Sequence, residues 1–347
     1  MEEKKKSHWS SVGIAIAIVL VVLLLLTLSN YLPIGGLISP SQTTSTFAQN
    51  PVDNESSTTS IQITYPSNYL TLANYTLAII NQNRTSMGLD KVILSPIPSG
   101  QEHADSMLQN GYFSHWDTQG YKPYMRYSWL NGTGYVEENV AYEYSGQLIF
   151  LSTQRVERAI GDLEWQMMNN DSACCANGHR DNILNIYHTR VSIGIAYNAN
   201  YLYLVQDFET YLTSLSSPIA QGNTVTLQGN TSQALSPSSV EVYYDPLPSP
   251  ISPANLSAVY NTPYGPGTFV GGAVPPCNNI LQTCEKFDQG VTVSATNWHV
   301  GSNNIDIQFS LAKFIATEGD GVYTLYMVQG ALSNPEYLTS ISVFVTN

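Results

Sequence analysis

The hydrophobic pattern changes period several times along the 347-residue chain. Residues 12–26 form an apolar run broken only by Gly13, and it continues past Thr27 to Leu28. That length is close to what crosses a bilayer as a helix. Lys4, Lys5 and Lys6 precede it, so the lysines are expected inside and the remainder outside. The run is longer than the apolar core of a cleaved signal peptide, and no small-x-small site follows it directly; Thr46-Phe47-Ala48 lies too far downstream. The expectation is a cytoplasmic basic tail over 1–11, a retained signal anchor over 12–32, and an extracytoplasmic bulk at a membrane crossed once.

Residues 33–67 lose periodicity and are rich in Ser, Thr, Gln, Asn and Pro, which predicts a disordered stalk. Helical spacing then begins. Leu70, Ala73, Leu77 and Ile80 form a stripe that ends near Met87, with Gly88 as a C-cap. A second helix starts near Ser99, aligns Ala104, Met107 and Leu108, and stops at Gly111. A third, over residues 153–169, places Val156, Ile160, Leu163 and Met167 on one face. After GHRDNIL (178–184) the period becomes two. VSIGIAY (191–197) and YLYLVQDFE (201–209) predict two strands joined by a turn at 198–200. Helices followed by strands predict an α+β layered domain over 68–212.

Residues 213–222 are expected to be a linker. Beyond it the helical period disappears. TVTLQG (224–229), VEVYYD (240–245), VTVSATNW (291–298), NIDIQFSLAKF (304–314), VYTLYMVQG (322–330) and ISVFVTN (341–347) are strand-like runs at regular spacing. They predict an all-β, immunoglobulin-like antiparallel sandwich over 223–347. DPLPSPISP (245–253) between them reads as a rigid loop. No chemical motif stands out in this half, and Trp298 and His299 read as ordinary strand residues.

Composition narrows the class. Charged residues make up only 11% of the chain, while Tyr contributes 23 positions, a balance that suits secreted and surface proteins. The net charge is −13, and three of the 13 basic residues are the anchor lysines. The exposed part is more acidic still, which argues against nucleic acid as a partner and is compatible with cation binding or with simple solubility. Of four cysteines, Cys174 and Cys175 are adjacent and Cys277 and Cys284 are seven apart. Outside the cytosol thiols usually pair. Cys277–Cys284 would close a small loop, and Cys174–Cys175 is a possible vicinal pair through a strained ring; the sequence does not choose among the three connectivities. N-x-S/T sequons at Asn54, Asn74, Asn83, Asn131, Asn170, Asn230 and Asn255 fit a surface glycoprotein.

Four of the six histidines fall between residues 103 and 188, among short conspicuous segments. These are IINQNRTSMGL (79–89), HADSMLQNGYFSHWDTQGYKPYMR (103–126), EENVAY (137–142), GHRDNILN (178–185), and VSIGIAY with YLVQDF. In this order they resemble the CAP superfamily (SCP, or pathogenesis-related-1-like), in its prokaryotic branch, over about residues 68–212. The resemblance implies an α-β-α sandwich with a cleft in which two His and two Glu can hold a divalent metal such as zinc. Matched by motif, the first His is His115, the first Glu Glu138 and the second His His179. The second Glu would follow a helical Trp by three positions; if Trp165 is that residue, Met168 stands there and the tetrad is incomplete. Glu164, one turn earlier, is a weaker candidate.

Beside these stand plainer readings. His103 sits on a helix next to Ala104 and reads as packed. His115 and His179 can equally tie loops by hydrogen bonds, and Glu138-Asn139 can satisfy backbone donors in a turn. Asp117, Arg126 and Asp207 read as structural, and Arg180 as paired with a carboxylate. Tyr112, Trp116 and Tyr121 either wall a groove or pack. No GxSxG elbow or HExxH helix occurs, and Ser114 beside His115 is not a nucleophile-base geometry. The expected function is a non-catalytic ligand-, lipid- or metal-binding surface module with an adhesive or envelope role and a lipid, glycan or protein partner. The alternative is a metal-dependent or peptidase-like hydrolase.

Overall fold

The computed structural model describes residues 42–47, 61–216, 219–221, 223–277, 286–331 and 334–346. The expected anchor over 12–32 lies outside the described residues, and among those described no helix is long and apolar enough to cross a membrane.

The first half runs β1 (Gln42–Phe47), β2 (Ile61–Pro66), α1 (Tyr69–Ser86), β3 (Ile93–Leu94), α2 (Ser99–Asn110), α3 (Pro123–Trp129), β4 (Tyr135–Tyr144), α4 (Thr153–Asn169), α5 (Ser172–Cys175), α6 (Gly178–Leu184), β5 (Arg190–Tyr197) and β6 (Tyr201–Thr210). The three helices and the two alternating runs fall where expected, except that Leu70 of the first stripe is 68% exposed and Leu72 is buried in its place. Gly88 and Gly111 take φ of 78° and 67°, the left-handed backbone that glycine adopts cheaply after a helix. Ser152 caps α4 by accepting the Arg155 amide. EENVAY differs: Glu138 and Asn139 lie mid-strand in β4 and are not turn residues.

The sheet order is β3-β5-β6-β4. Because side chains alternate along a strand, β5 and β6 each feed two layers. Val191, Ile193, Ile195, Leu204 and Phe208 pack against α1 and α4 through Leu72, Ile80, Val156 and Ile160. Ala196, Tyr203 and Val205 face α2 through Ala104 and Met107. Helices therefore cover both faces. The approach of α2 to β5 needs bare glycine, since a Cβ on Gly194 would strike the Gly100 carbonyl. Gln101 then stands in for a missing neighbour strand beyond short β3. Its Oε1 accepts the Ile195 amide at 2.9 Å and its Nε2 donates to the Ile195 carbonyl at 3.0 Å, which blunts the open edge.

Part of the stretch expected to be a disordered stalk is ordered. β1 and β2 pair antiparallel, Thr64 donates its amide to Asp105 Oδ2 at 2.6 Å, and Gln101 Nε2 donates to the Thr64 carbonyl at 3.0 Å. Side chains of α2 hold this segment through Thr64.

The second half comprises β7 (Thr213–Leu215), β8 (Ile219–Gln221), β9 (Thr224–Thr231), β10 (Pro237–Asp245), α7 (Pro253–Ala258), β11 (Thr268–Val274), β12 (Val291–Ser294), β13 (Asn297–Val300), β14 (Asn304–Ser310), α8 (Ala312–Glu318), β15 (Gly321–Ala331), β16 (Asn334–Tyr337) and β17 (Ile341–Val345). One sheet is ordered β12-β11-β10-β15-β16 with β17 also on β15; the other is β13-β14-β9-β7 with β8 on β9. Val225, Leu227, Ile305 and Phe309 from one sheet and Val240, Val242, Leu325 and Met327 from the other share a single buried core. The expected linker is instead an edge of this sandwich, since β7 and β8 both pair with β9. VTVSATNW is split: the Ala295 amide bonds Val274 in one sheet and the Thr296 amide bonds Gln308 in the other. The β11–β12 pair is parallel.

The halves are fastened together, and residues 42–347 cluster as one unit. Asp245 takes Lys122 Nζ at 2.7 Å and the Tyr124 hydroxyl at 2.7 Å. Leu256 of α7 is buried in the cluster formed with α2, and the Ser342 amide donates to Ser128 Oγ at 2.9 Å.

Candidate functional site

A cavity of about 850 Å³ opens along the outer edge of β4, with walls from both halves. His115, Glu138 and His179 all line it; Glu164 does not. Alternation along β4 separates the candidates. Glu138, paired in register with Asp207, points to the α2 and α3 face. Glu137 and Asn139 point to the opposite face, where Asn139 donates to the His179 carbonyl at 3.0 Å and accepts from Asn182 at 2.9 Å.

Glu138 is fully engaged. His115 Nδ1 meets its Oε1 at 2.8 Å and Arg126 donates to its Oε2 at 2.6 Å. Burial raises the Glu138 carboxyl to about 7, and Arg126 opposes that. Burial, with help from the same guanidinium, lowers His115 to about 3. A neutral His115 therefore serves Glu138 as an Nδ1–H donor. Arg126 also approaches Glu102 at 3.8 Å. Burial lowers the Arg126 guanidinium, but Glu138, Asp117, Glu102 and Asp207 around it raise it further. One buried cation thus serves a group of carboxyls, of which half-buried Glu102 is pushed up to about 8 by desolvation. This arrangement does not suit a divalent metal on Glu138, because both carboxylate oxygens are occupied and a guanidinium already supplies the positive charge.

His179 is held elsewhere, its Nδ1 meeting Asp171 Oδ1 at 2.6 Å. Asp171 Oδ2 accepts the Arg180 amide at 3.1 Å, so this aspartate organises the start of GHRDNILN. Glu164 is buried beneath the opposite face, hydrogen-bonded to the Gln206 amide, and Gln206 in turn accepts from Asn139 at 3.2 Å. Trp165 is 60% exposed and Met168 is buried. His103 is buried, its Nε2 meeting the Ser114 carbonyl at 2.8 Å. His188 meets Glu137 Oε2 at 3.0 Å.

The second half supplies what the sequence did not signal. Tyr264, between Pro263 and Pro266, accepts the Glu138 amide at 2.9 Å, and its ring centroid stands 4.9 Å from that of His115. The Val136 amide is likewise taken by Ser340 Oγ at 3.1 Å. The edge of β4 is thus covered by loops of the sandwich at positions 136 and 138. Tyr243, Tyr326 and Tyr337 complete the wall on that side. Tyr112, Trp116 and Tyr121, the sequence candidates for a groove, pack instead: Tyr112 is buried against Ser106, Trp116 meets Tyr260 and Tyr121 meets Phe344.

Cys174 and Cys175 are disulfide-bonded to each other. Cys277 is disulfide-bonded, and Cys284 lies outside the described residues.

No family profile matches this chain, and no curated protein does. Among solved structures it is similar to an extracellular protein containing an SCP domain from Bacillus anthracis str. Ames, with 22% identity over 39% of each chain and a TM-score of 0.29. It is also similar to the CAP domain of Enterococcal PrgA, with 17% identity over 39% of this chain and 58% of that one and a TM-score of 0.30. The chain spans less than two thirds of either structure.

Proposed function

We propose that the chain is a membrane-anchored, extracytoplasmic CAP/SCP-type binding module that holds a glycan chain in the cavity beside β4, without catalysing a reaction on it. The observation that carries the reading is a run of aromatic rings through that cavity and out of it. Phe113 and Tyr142 line the cavity with ring centroids 4.6 Å apart. Tyr142 stacks with Tyr203 and Tyr203 with Tyr201 at 6.0 and 6.1 Å, and Tyr201 meets Tyr144 at 4.7 Å. Tyr142, Tyr144 and Tyr201 are exposed. Flat apolar faces in a cavity that also carries amides and hydroxyls match a sugar ring, which offers C–H faces and hydroxyl edges.

Asn139, Gln166, Asn182, Asn261 and Thr262 are uncharged polar groups along the cavity, beside Glu137, Glu138, His115 and His179. The acidic surface favours a neutral or cationic chain over an anionic one. The sequon asparagines Asn74, Asn131, Asn170, Asn230 and Asn255 are exposed, which supports a surface glycoprotein. The hydrolase alternative has little support. Ser114 Oγ donates to the Tyr260 carbonyl at 2.8 Å and accepts the Trp116 amide at 3.0 Å, so His115 does not activate it.

The test is saturation-transfer NMR of the full chain with neutral oligosaccharides, an extended peptide and lipid micelles in parallel. Saturable oligosaccharide contact that weakens about tenfold in Tyr142→Ala is expected, from loss of one stacking platform. Binding of the peptide or the lipid alone would overturn the glycan assignment.

A further inference from the structure

A second cluster at the rim of the cavity takes no part in the hydrogen bonds around Glu138. Asp171, Cys174, Cys175 and His179 each offer one donor atom, and these four atoms lie within 4.8 Å of one another. Asp171 is buried, Cys174 is exposed, and Cys175 and His179 are partly exposed. The Cys174 sulfur lies 3.5 Å from the Asp171 carbonyl and 3.7 Å from its Oδ1, the same oxygen that meets His179. Ala176 and Asn177 follow with φ of 51° and 70°. Two consecutive non-glycine residues in the left-handed region persist only where their surroundings over-determine them. Here they fold the chain back so that His179 meets Asp171 beside the sulfurs.

We propose that this cluster is a redox-gated site for a thiophilic divalent cation of the zinc type, shut as the Cys174–Cys175 disulfide and open as the dithiol. In the gating step an external dithiol supplies two electrons and two protons. The Cys174–Cys175 S–S bond breaks, two thiols form, and the donor closes to its own disulfide. The cation then displaces one proton from each thiol and is held by two thiolates, a His179 ring nitrogen and an Asp171 oxygen, a four-donor set of the kind zinc takes tetrahedrally. In the disulfide form the sulfurs are not thiolates, and two donors remain. Exposed Cys174 gives the reductant its access. The inference is independent of the glycan reading and stands or falls without it.

The test uses the full-length protein, once in its disulfide form and once reduced with a dithiol that is then removed without air, dialysed against Zn²⁺ or Co²⁺. The reduced form is expected to hold one metal per chain, at least about 100-fold more tightly than the oxidised form because only thiolates complete the donor set. Its cobalt form should show thiolate-to-cobalt charge-transfer absorption. Cys174→Ser and Cys175→Ser, both away from the core, should keep the melting temperature and lose the band, and His179→Ala should weaken it. Independently of any variant, Zn²⁺ should protect Cys174 and Cys175 of the reduced protein from alkylation, read by peptide mass mapping. Equal metal uptake in both redox states, a band that survives both serine variants, or alkylation unchanged by Zn²⁺ would each overturn the proposal.

Discussion

Tyr264 accepts a hydrogen bond from the Glu138 backbone amide at 2.9 Å, joining a proline-flanked loop of the β-sandwich to the edge strand of the α-β-α half. Removing the hydroxyl in Tyr264→Phe leaves that amide without its acceptor, so a loss of about 1 kcal/mol of stability is expected. Urea unfolding with a common m-value checks it. Tyr264→Ala should additionally uncover the His115 ring and weaken any cavity ligand. Stability unchanged in Tyr264→Phe would mean the contact contributes nothing.

Arg84 is buried and ties α1 to the loop that carries His188. It donates to the carbonyls of Asp90, Ile183, Asn185 and His188 at 2.8, 2.8, 2.9 and 3.2 Å. Arg84→Met keeps the volume but strands these acceptors. A loss of about 3 kcal/mol or more is expected from several unsatisfied buried groups, visible as a lower melting temperature. Amide exchange should rise first around residues 183–188. Uniform exchange across the domain would contradict the local role.

Gly194 faces the Gly100 carbonyl so closely that an added methyl has no room. Gly194→Ala should push α2 off β5 and cost about 2 kcal/mol, as overpacking does. Gly146→Ala, where nothing lies within 4 Å of the new atom, is the control and should leave the melting curve in place.

Glu164 is raised from 4.5 to about 8 by burial, with the Gln206 hydrogen bond pulling the other way. Between those values the unfolded chain has released a proton that the folded chain keeps. The folded state then binds more protons, so this group's contribution is complete below pH 4.5 and is lost as pH rises toward 8. Glu164→Gln removes the titration. The variant should gain on wild type across that window by up to about 1.4 kcal/mol per pH unit. Chemical denaturation at pH 5 and pH 8 measures the difference, and parallel curves at both pH values would rule the account out.

Much of the architecture was legible along the chain. The stripes Ala73, Ile80 and Val156, Ile160 specified α1 and α4, the alternation from Val191 to Phe208 specified β5 and β6, and Gly88 and Gly111 marked helix ends, because periodicity and backbone permissiveness are local properties. The ordered motifs likewise pointed to His115, Glu138 and His179, which do line one cavity. Their partners were not legible. Whether Glu138 sits in a turn or on the edge of a sheet depends on the register of β4 against β6. Its covering by Tyr264 joins residues 126 positions apart, and no pattern in the second half hinted at it. Arg126 amid four carboxyls and the capture of residues 61–66 by Asp105 and Gln101 arise in the same way. Local pattern fixes which face of an element is apolar; which polar groups meet across those faces is decided only when the layers pack, since burial forces each to find a partner that sequence distance does not reveal.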